Sequence, residues 1–411
     1  ADEKEAAFIK GANRHRADQR NFSKIPGSPI AYWVSEKIIK TFKNNIVNNI
    51  YFSLFGMSCG EGAKYYRLWF EVNDSDEKWK KLDKGGNFRR WYGNNEYVVN
   101  WKNDGADIKA NTKAAVRNES FFFKEHIGWT LVSSGNFSSR YYPKGYIIDT
   151  ASNYVCKKKT SIIQFLYFSN SRVSKEFLKI INPTLNFSCG TIGMLPMKET
   201  NIQKYWPILL SISKSDWDLR ETSWDFRRSP LLTDYSAPKI ETVIDENLTD
   251  WSWPSAFGSG KAIHLPTQAE AFKRHWTSLF LEIHKNEEEN NRIFIDLYGL
   301  QDELSPEVPY SEITILQEEL VDSTRKENRI EFDDAVLARQ FVSYGVGCLM
   351  GRYSVEQDGL ILADAESTVE DFKARVPGAR FLPDGDGVLP LTDEDDFADD
   401  LPTAFKSWLR F

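Results

Sequence analysis

Between Ser133 and Tyr142 the chain sets Ser133, Ser134, Asn136, Ser138, Ser139, Arg140 and Tyr141 around Gly135. Hydroxyl, amide and guanidinium groups on a glycine-containing loop between two β-type runs are the groups that hydrogen-bond base edges in a DNA major groove. A basic triplet, Lys157, Lys158 and Lys159, follows a short way on, and Arg89, Arg90, Lys102 and Arg117 add single cations. Lysine and arginine of this kind suit phosphate, which is held by charge and carries no base information. The competing readings are an ordinary hydrogen-bonded turn for the loop and a solvated basic surface for the cations.

Other chemistry has weaker support. His15, His126, His264, His275 and His284 show neither H-x-x-x-H nor H-E-x-x-H spacing, so they read as surface or core histidines and not as metal ligands. Cys59, Cys156, Cys189 and Cys348 lie too far apart for a C-x-x-C knuckle or a disulfide framework, which fits a reducing compartment. Asp216-Trp217-Asp218 and Trp224-Asp225-Phe226 bring carboxylates close together, but tryptophans anchoring a loop to a core explain these words better than an acid pair does. Asp371-Phe372-Lys373 is the nearest approach to the acid-x-lysine of a metal nuclease; it follows a helix-like segment and reads as solvated surface.

The elements that must position these groups alternate between aromatic strand-like runs and helices. Tyr65–Val72, Trp129–Val132 and Tyr146–Asp149 read as strands, and Gly85-Gly86 and Gly93-Asn94 as turns. Phe165, Leu166, Phe168, Val173, Phe177, Leu178 and Ile181 recur at helical spacing until Asn182-Pro183 stops them, because proline has no N–H and restricts the residue before it. Leu185 to Leu195 reads as short and strand-like. Phe272, Trp276, Leu279, Phe280, Ile283, Ile293, Phe294 and Leu297 mark a long helix capped by Gly299, with Glu287 to Glu289 as a solvated turn. A second helix is expected over about 333 to 350, where Gly345, Gly347 and Gly351 signal close packing and not a phosphate loop, since no Walker lysine follows. The tail Pro383–Pro402 is acidic, and its interleaved Val388, Leu389, Leu391 and Phe397 predict a docked loop.

Net charge hides an asymmetry. The 411 residues sum to −7, yet positions 1 to 240 carry +13 and positions 241 to 411 carry −20. A basic part joined to an acidic part suits a polyanion-binding module tethered to something that does not touch the polyanion, so the nucleic-acid surface is expected within the first 240 residues. No run of about 18 apolar residues and no cationic-then-apolar leader is present, so the chain reads as neither membrane-spanning nor secreted but cytoplasmic. It opens on Ala1, which fits a piece of a longer protein.

Several words taken together carry a specific resemblance. The helix with N-S-R, then N-P-T-L-N-F, then G-x-I-x-x-L-P, resembles the closing part of a DNA target-recognition domain in type I and type IIG restriction-modification enzymes. F-S-K-I-P-G-S-P-I-A-Y-W-V-S (22 to 35), R-L-W-F-E-V (67 to 72), W-Y-G-N-N-E-Y-V-V-N-W (91 to 101), D-W-D-L-R-E-T-S-W-D-F (216 to 226), N-R-I-F-I-D-L-Y-G-L-Q-D-E-L (291 to 304) and Y-G-V-G-C-L-M-G-R-Y-S (344 to 354) resemble, in family order, the C-terminal portion of the PglX family of adenine-specific DNA methyltransferases from BREX phage-defence systems. The resemblance implies bacterial sequence-specific recognition of double-stranded DNA in cooperation with an upstream methyltransferase domain and other BREX components. It also implies S-adenosylmethionine as the cofactor of the full-length parent and none in this chain, because the glycine-rich cofactor turn and the N-P-P-Y/F loop of such enzymes have no match here. Asn182-Pro183-Thr184-Leu185 lacks the second proline and the stacking aromatic, and Gly56-Met57-Ser58-Cys59-Gly60 departs from the T-G-D/N turn expected there.

The expected architecture is α+β. Residues 1–21 are a linker or helix end, 22–115 a methyltransferase-proximal α/β domain, 116–200 a mixed-sheet target-recognition domain, and 201–411 a mostly helical acidic C-terminal region. The competing function is a protein-interaction scaffold within the defence complex, with incidental DNA affinity.

Overall fold

The computed structural model describes residues 2–12, 17–72, 76–133, 135–200, 206–235, 263–363, 367–392, 397 and 399–411. Eight short strands are built from aromatic and β-branched residues: β1 Tyr51–Phe55, β2 Tyr66–Leu68, β3 Trp79–Asp83, β4 Tyr97–Asn100, β5 His126–Thr130, β6 Ser139–Tyr142, β7 Tyr146–Ile148 and β8 Ser152–Lys157. They form two sheets of four, ordered β1-β8-β5-β6 and β2-β4-β3-β7. The first is antiparallel throughout, while in the second β3 and β7 run parallel. Each sheet takes strands from both sides of residue 115, so the expected boundary at 115/116 passes through both.

The first sheet is buried on both faces along β5, β6 and β8, while the edge strand β1 leaves Phe52 and Phe55 exposed. Tyr51, Trp129 and Val155 pack on one side with Phe165 and Leu166, and Leu54, Tyr154 and Cys156 pack on the other with Leu82, Trp101 and Phe122. Gly128 lies against the second sheet: a Cβ there would meet the Asp83 carboxylate at 2.3 Å. The run Tyr65–Val72 is not one strand, since a helical turn ends at Tyr65, β2 covers three residues and a 3-10 turn takes Trp69–Glu71.

The helices follow their caps. The single helix expected up to Ile181 is two, α1 Ile162–Ser169 and α2 Arg172–Ile181, because Ser171 accepts the Ser174 amide and starts a second N-terminus. The strand expected after Pro183 is instead a short helix, Cys189–Gly193, capped by Ser188. Helix α3 spans Trp206–Asp218, and α4 runs over the 34 residues Leu265–Tyr298 to end at Gly299, whose φ of 69° makes the left-handed cap. Glu287 is not part of a solvated turn; it is buried against Arg90 and Trp91. Helix α5, Asp334–Leu349, is capped by Asp333 and packs Gly345 against Phe405 and Trp408 of α6, Leu401–Arg410.

One hydrophobic core cluster runs from Ile25 to Trp408 and takes in both the sheet region and the helical region. In the acidic tail Leu389 packs on that core and Asp400 is buried, but Val388, Leu391 and Phe397 stay exposed, so the tail docks only in part. Asp393 to Asp396 lie outside the described residues, as does His15.

Candidate nucleic-acid interface

The β5–β6 connection is zipped to the segment that follows α2. The Ser133 amide donates to Leu185 O, the Phe187 amide to Leu131 O, and Val132 and Asn186 form a bridge. Beneath them Phe137 packs on Trp129 and Phe187, and the Trp129 indole donates to Phe187 O at 2.7 Å. This pins two loop tips side by side, with Asn136, Pro183, Thr184, Leu185 and Asn186 exposed and Ser133 half-buried. Gly86 and Asn87 adjoin them, since Thr130 donates to Gly86 O at 2.8 Å. The rim therefore carries amides and hydroxyls, which is the chemistry of base-edge reading. Sequence reasoning missed Asn87, Thr184 and Asn186; the available signal was an amide-rich loop directly after a proline-terminated helix.

The remaining expected readers are placed elsewhere. Ser138 is buried with its hydroxyl accepting the Arg89 amide at 3.3 Å, and Ser139 pairs with Ser169 at 2.6 Å. Arg140 is fully buried, donating to the Tyr142 hydroxyl at 3.2 Å and more loosely to Arg89 O and Thr130 Oγ1 at 3.4 Å. Tyr141 is buried and donates to Glu125. Ser138 directly precedes β6 and the other three begin it; all four are buried and so present nothing to a groove, and Ser134 lies outside the described residues.

The cations divide in the same way. Arg89 is buried, 2.7 Å from Asp216 and bonded to the carbonyls of Tyr92, Ser213 and Thr314. Arg90 is buried between Glu287 and Glu312. Both join the sheet region to the helices, which corrects their assignment to phosphate. Burial alone would raise the Asp216 carboxyl, but the guanidiniums of Arg220 and Arg89 and the Leu316 amide outweigh it and hold it below the ordinary carboxylate value.

Lys102, Arg117, Lys157, Lys158 and Lys159 are exposed, and among the described residues none of them has a carboxylate within ion-pair distance. The lysine triplet does not adjoin the reading rim. Strand β8 starts at Ser152 beside Thr130 and ends at Lys157 beside Tyr51, so the two features sit at opposite ends of the first sheet, roughly 17 Å apart along the strand.

A serine, a histidine and an aspartate also meet in the core. Ser152 donates to Asp83 Oδ2 at 2.7 Å, and His126 Nε2 faces the same oxygen at 3.3 Å while its ring stacks on Tyr142. All three are fully buried and the hydroxyl is bonded to the carboxylate, not to the imidazole, so this is a polar core network and not a nucleophile with its base. The residues nearest to a methyltransferase loop do not fit that task either. The Asn182 amide donates to Asn186 O at 3.0 Å while its oxygen accepts the Thr184 hydroxyl, so both ends are committed. Gly56 lies against the backbone of Asp149, where a Cβ would approach to 2.3 Å.

No family model matches the chain. It is 35% identical over 423 residues to the adenine-specific methyltransferase PglX of Lacticaseibacillus casei (strain Zhang), covering 96% of this chain and 32% of that protein. It is 29% identical over 419 residues to the adenine-specific methyltransferase BrxX of Escherichia coli O9:H4 (strain HS), covering 95% of this chain and 31% of that protein. The chain thus spans about a third of the length of the curated relatives it matches. With the family's sequence words in order and the similarity running along nearly every residue, the chain corresponds to a C-terminal portion of a BREX-type adenine-specific methyltransferase.

Proposed function

We propose that this chain is the part of a site-specific adenine-N6 DNA methyltransferase of a BREX phage-defence system that recognises double-stranded DNA. The catalytic domain and its S-adenosylmethionine belong to the upstream part of the parent protein in the bacterial cytoplasm, and other BREX components are its further partners. The observation that carries the reading is the exposed set Lys102, Arg117, Lys157, Lys158 and Lys159, cations with no carboxylate partner among the described residues. Surface lysines serving only solubility are commonly interspersed with acids, whereas here the acids are concentrated after residue 240. Base reading falls to the rim of Asn87, Ser133, Asn136, Thr184 and Asn186, and phosphate holding to the lysine end of the sheet. A duplex about 20 Å wide has a reach comparable to the roughly 17 Å between them.

The test is fluorescence anisotropy of this chain with a labelled duplex at two salt concentrations. Binding that weakens steeply with salt is expected, because each phosphate contact releases condensed counterions. Failure to bind duplex at low salt would leave the protein-interaction scaffold as the better account.

A further inference from the structure

Strand β1 is an edge strand, and its outer side carries aromatic rings that duplex recognition does not use. Phe52 and Phe55 are each 40% exposed, and Phe123, at the end of the 3-10 turn that holds Phe121, is 38% exposed. The Phe52 and Phe121 rings touch with centroids 5.2 Å apart. A cation stands by three of these rings: Lys158 lies 5.4 Å from the Phe52 centroid, Lys124 4.9 Å from Phe121 and Arg117 5.3 Å from Phe55. The neighbouring acids are engaged elsewhere, Glu119 by Lys109 and Glu125 by the Tyr141 hydroxyl. Asn118 holds the strand end by donating to Phe55 O at 2.9 Å.

We infer that the exposed edge of β1, where the pleat turns Phe52 to the Leu54 side and Phe55 to the Tyr51 side, is a stacking surface for the unpaired bases of a single-stranded nucleic acid that wraps this edge. Half-exposed aromatic rings interleaved with cations are the combination that holds such strands: the rings take the flat faces of the bases and the cations take the phosphates between them. A duplex cannot use the rings, because its base faces are already stacked inside the helix. A protein partner fits less well, since lysine is depleted in the buried centre of protein interfaces and here lysine and arginine lie over the rings themselves. The ligand class is a single strand of several nucleotides recognised without sequence preference, because every base offers a π-face. The inference shares with the proposed function the cations Arg117 and Lys158 but not the rings, so substitution of the rings tests it separately.

The experiment compares a labelled 20-nucleotide oligothymidine with a 20-base-pair duplex, titrated against the whole chain and against Phe52→Leu/Phe55→Leu. Leucine keeps the apolar volume of these half-exposed sites while removing the π-face, and an unchanged melting temperature verifies the fold; if the double variant melts early, the single Phe55→Leu serves. The expected result is that oligothymidine binds the wild-type chain and loses about tenfold or more in affinity in the variant, while duplex affinity changes less than about twofold. Arg117→Gln/Lys124→Gln weakens the oligothymidine as well and reduces its salt dependence. Oligothymidine that fails to bind, or that binds the leucine variant as well as the wild type, overturns the inference, as does an equal loss on both ligands. If oligothymidine binds as expected and the duplex does not, this inference stands and the duplex reading falls.

Discussion

An arginine is a reader or a structural cation according to what surrounds it, and Arg140 illustrates how local sequence misleads. It follows a serine-rich loop, yet its position in β6 places it between two packed layers, where it lies beside Tyr142 and in the field of Asp83. Truncating it leaves buried polar groups without their partner, which is costly. Arg140→Ala is therefore expected to lower stability by about 2–4 kcal/mol, read from the urea midpoint, with no selective loss of one DNA sequence over another. Asn136→Ala is the contrasting case. It is exposed and should leave the midpoint unchanged while costing about 1–3 kcal/mol on a cognate duplex only, measured by competition with scrambled DNA. The thiols follow the same logic of burial, which pushes Cys156 and Cys348 up to about 12. Their thiolate fraction at pH 8 is then negligible, and labelling of either by a thiol reagent is expected to require unfolding.

Between elements, the joint is the segment Arg89–Trp91 pressed against α3 and α4. Glu287 accepts from both Arg90 and the Trp91 indole, and Arg89 meets Asp216. Glu287→Ala strands a buried guanidinium and is expected to cost about 3–5 kcal/mol in chemical denaturation, whereas Arg90→Met combined with Glu287→Leu should recover part of that loss. The acid side supplies an independent check. Asp216 has a folded-state value below its ordinary 3.8, so its contribution to stability is complete above that pH and disappears as pH falls through the depressed value. The melting temperature should drop between pH 5 and pH 3, and Asp216→Asn should flatten that drop while lowering stability at neutral pH. Burial would raise Asp83, but its bond to His126, the charge of Arg140 and the Gly85 amide together hold it below its ordinary value too, so the flattening is partial. Long helices were legible because caps and period agree, as at Gly299 and at Asp333. Strands of three to five residues were not, since aromatic runs such as Tyr65–Val72 serve a helical turn, a strand and a 3-10 turn in succession. Glu287 sits among other acids and reads as solvent-facing; its burial is imposed by Arg90, almost two hundred positions earlier, which no local pattern encodes. The candidate interface was half legible for the same reason: exposed lysines declare themselves, while the pairing of Ser133 with Leu185 exists only after folding.

At the scale of the whole molecule, charge and packing give different divisions. The +13 of the first 240 residues and the −20 of the rest suggest two separable parts. The core denies it, because Phe168 packs against Phe294 and Tyr298 of α4, Tyr298 donates to Pro196 O at 2.8 Å, and Arg90 depends on Glu287. Removing residues 241–411 would expose these faces and leave Arg90 without its main buried partner. Residues 1–240 produced alone are therefore expected to aggregate or to bind a hydrophobic dye, with no cooperative melting transition, although the proposed DNA surface is contained within them. The electrostatic division is better tested in the intact chain. Changing Lys157, Lys158 and Lys159 together to alanine should weaken cognate and random duplex alike and reduce the slope of log affinity against log salt by up to about 2.7, since each lost phosphate contact removes about 0.9. A slope that does not change would mean that the lysine end of the sheet lies off the DNA path. A slope that falls while sequence preference persists would place holding and reading at the two ends of one sheet, which is the arrangement the fold proposes.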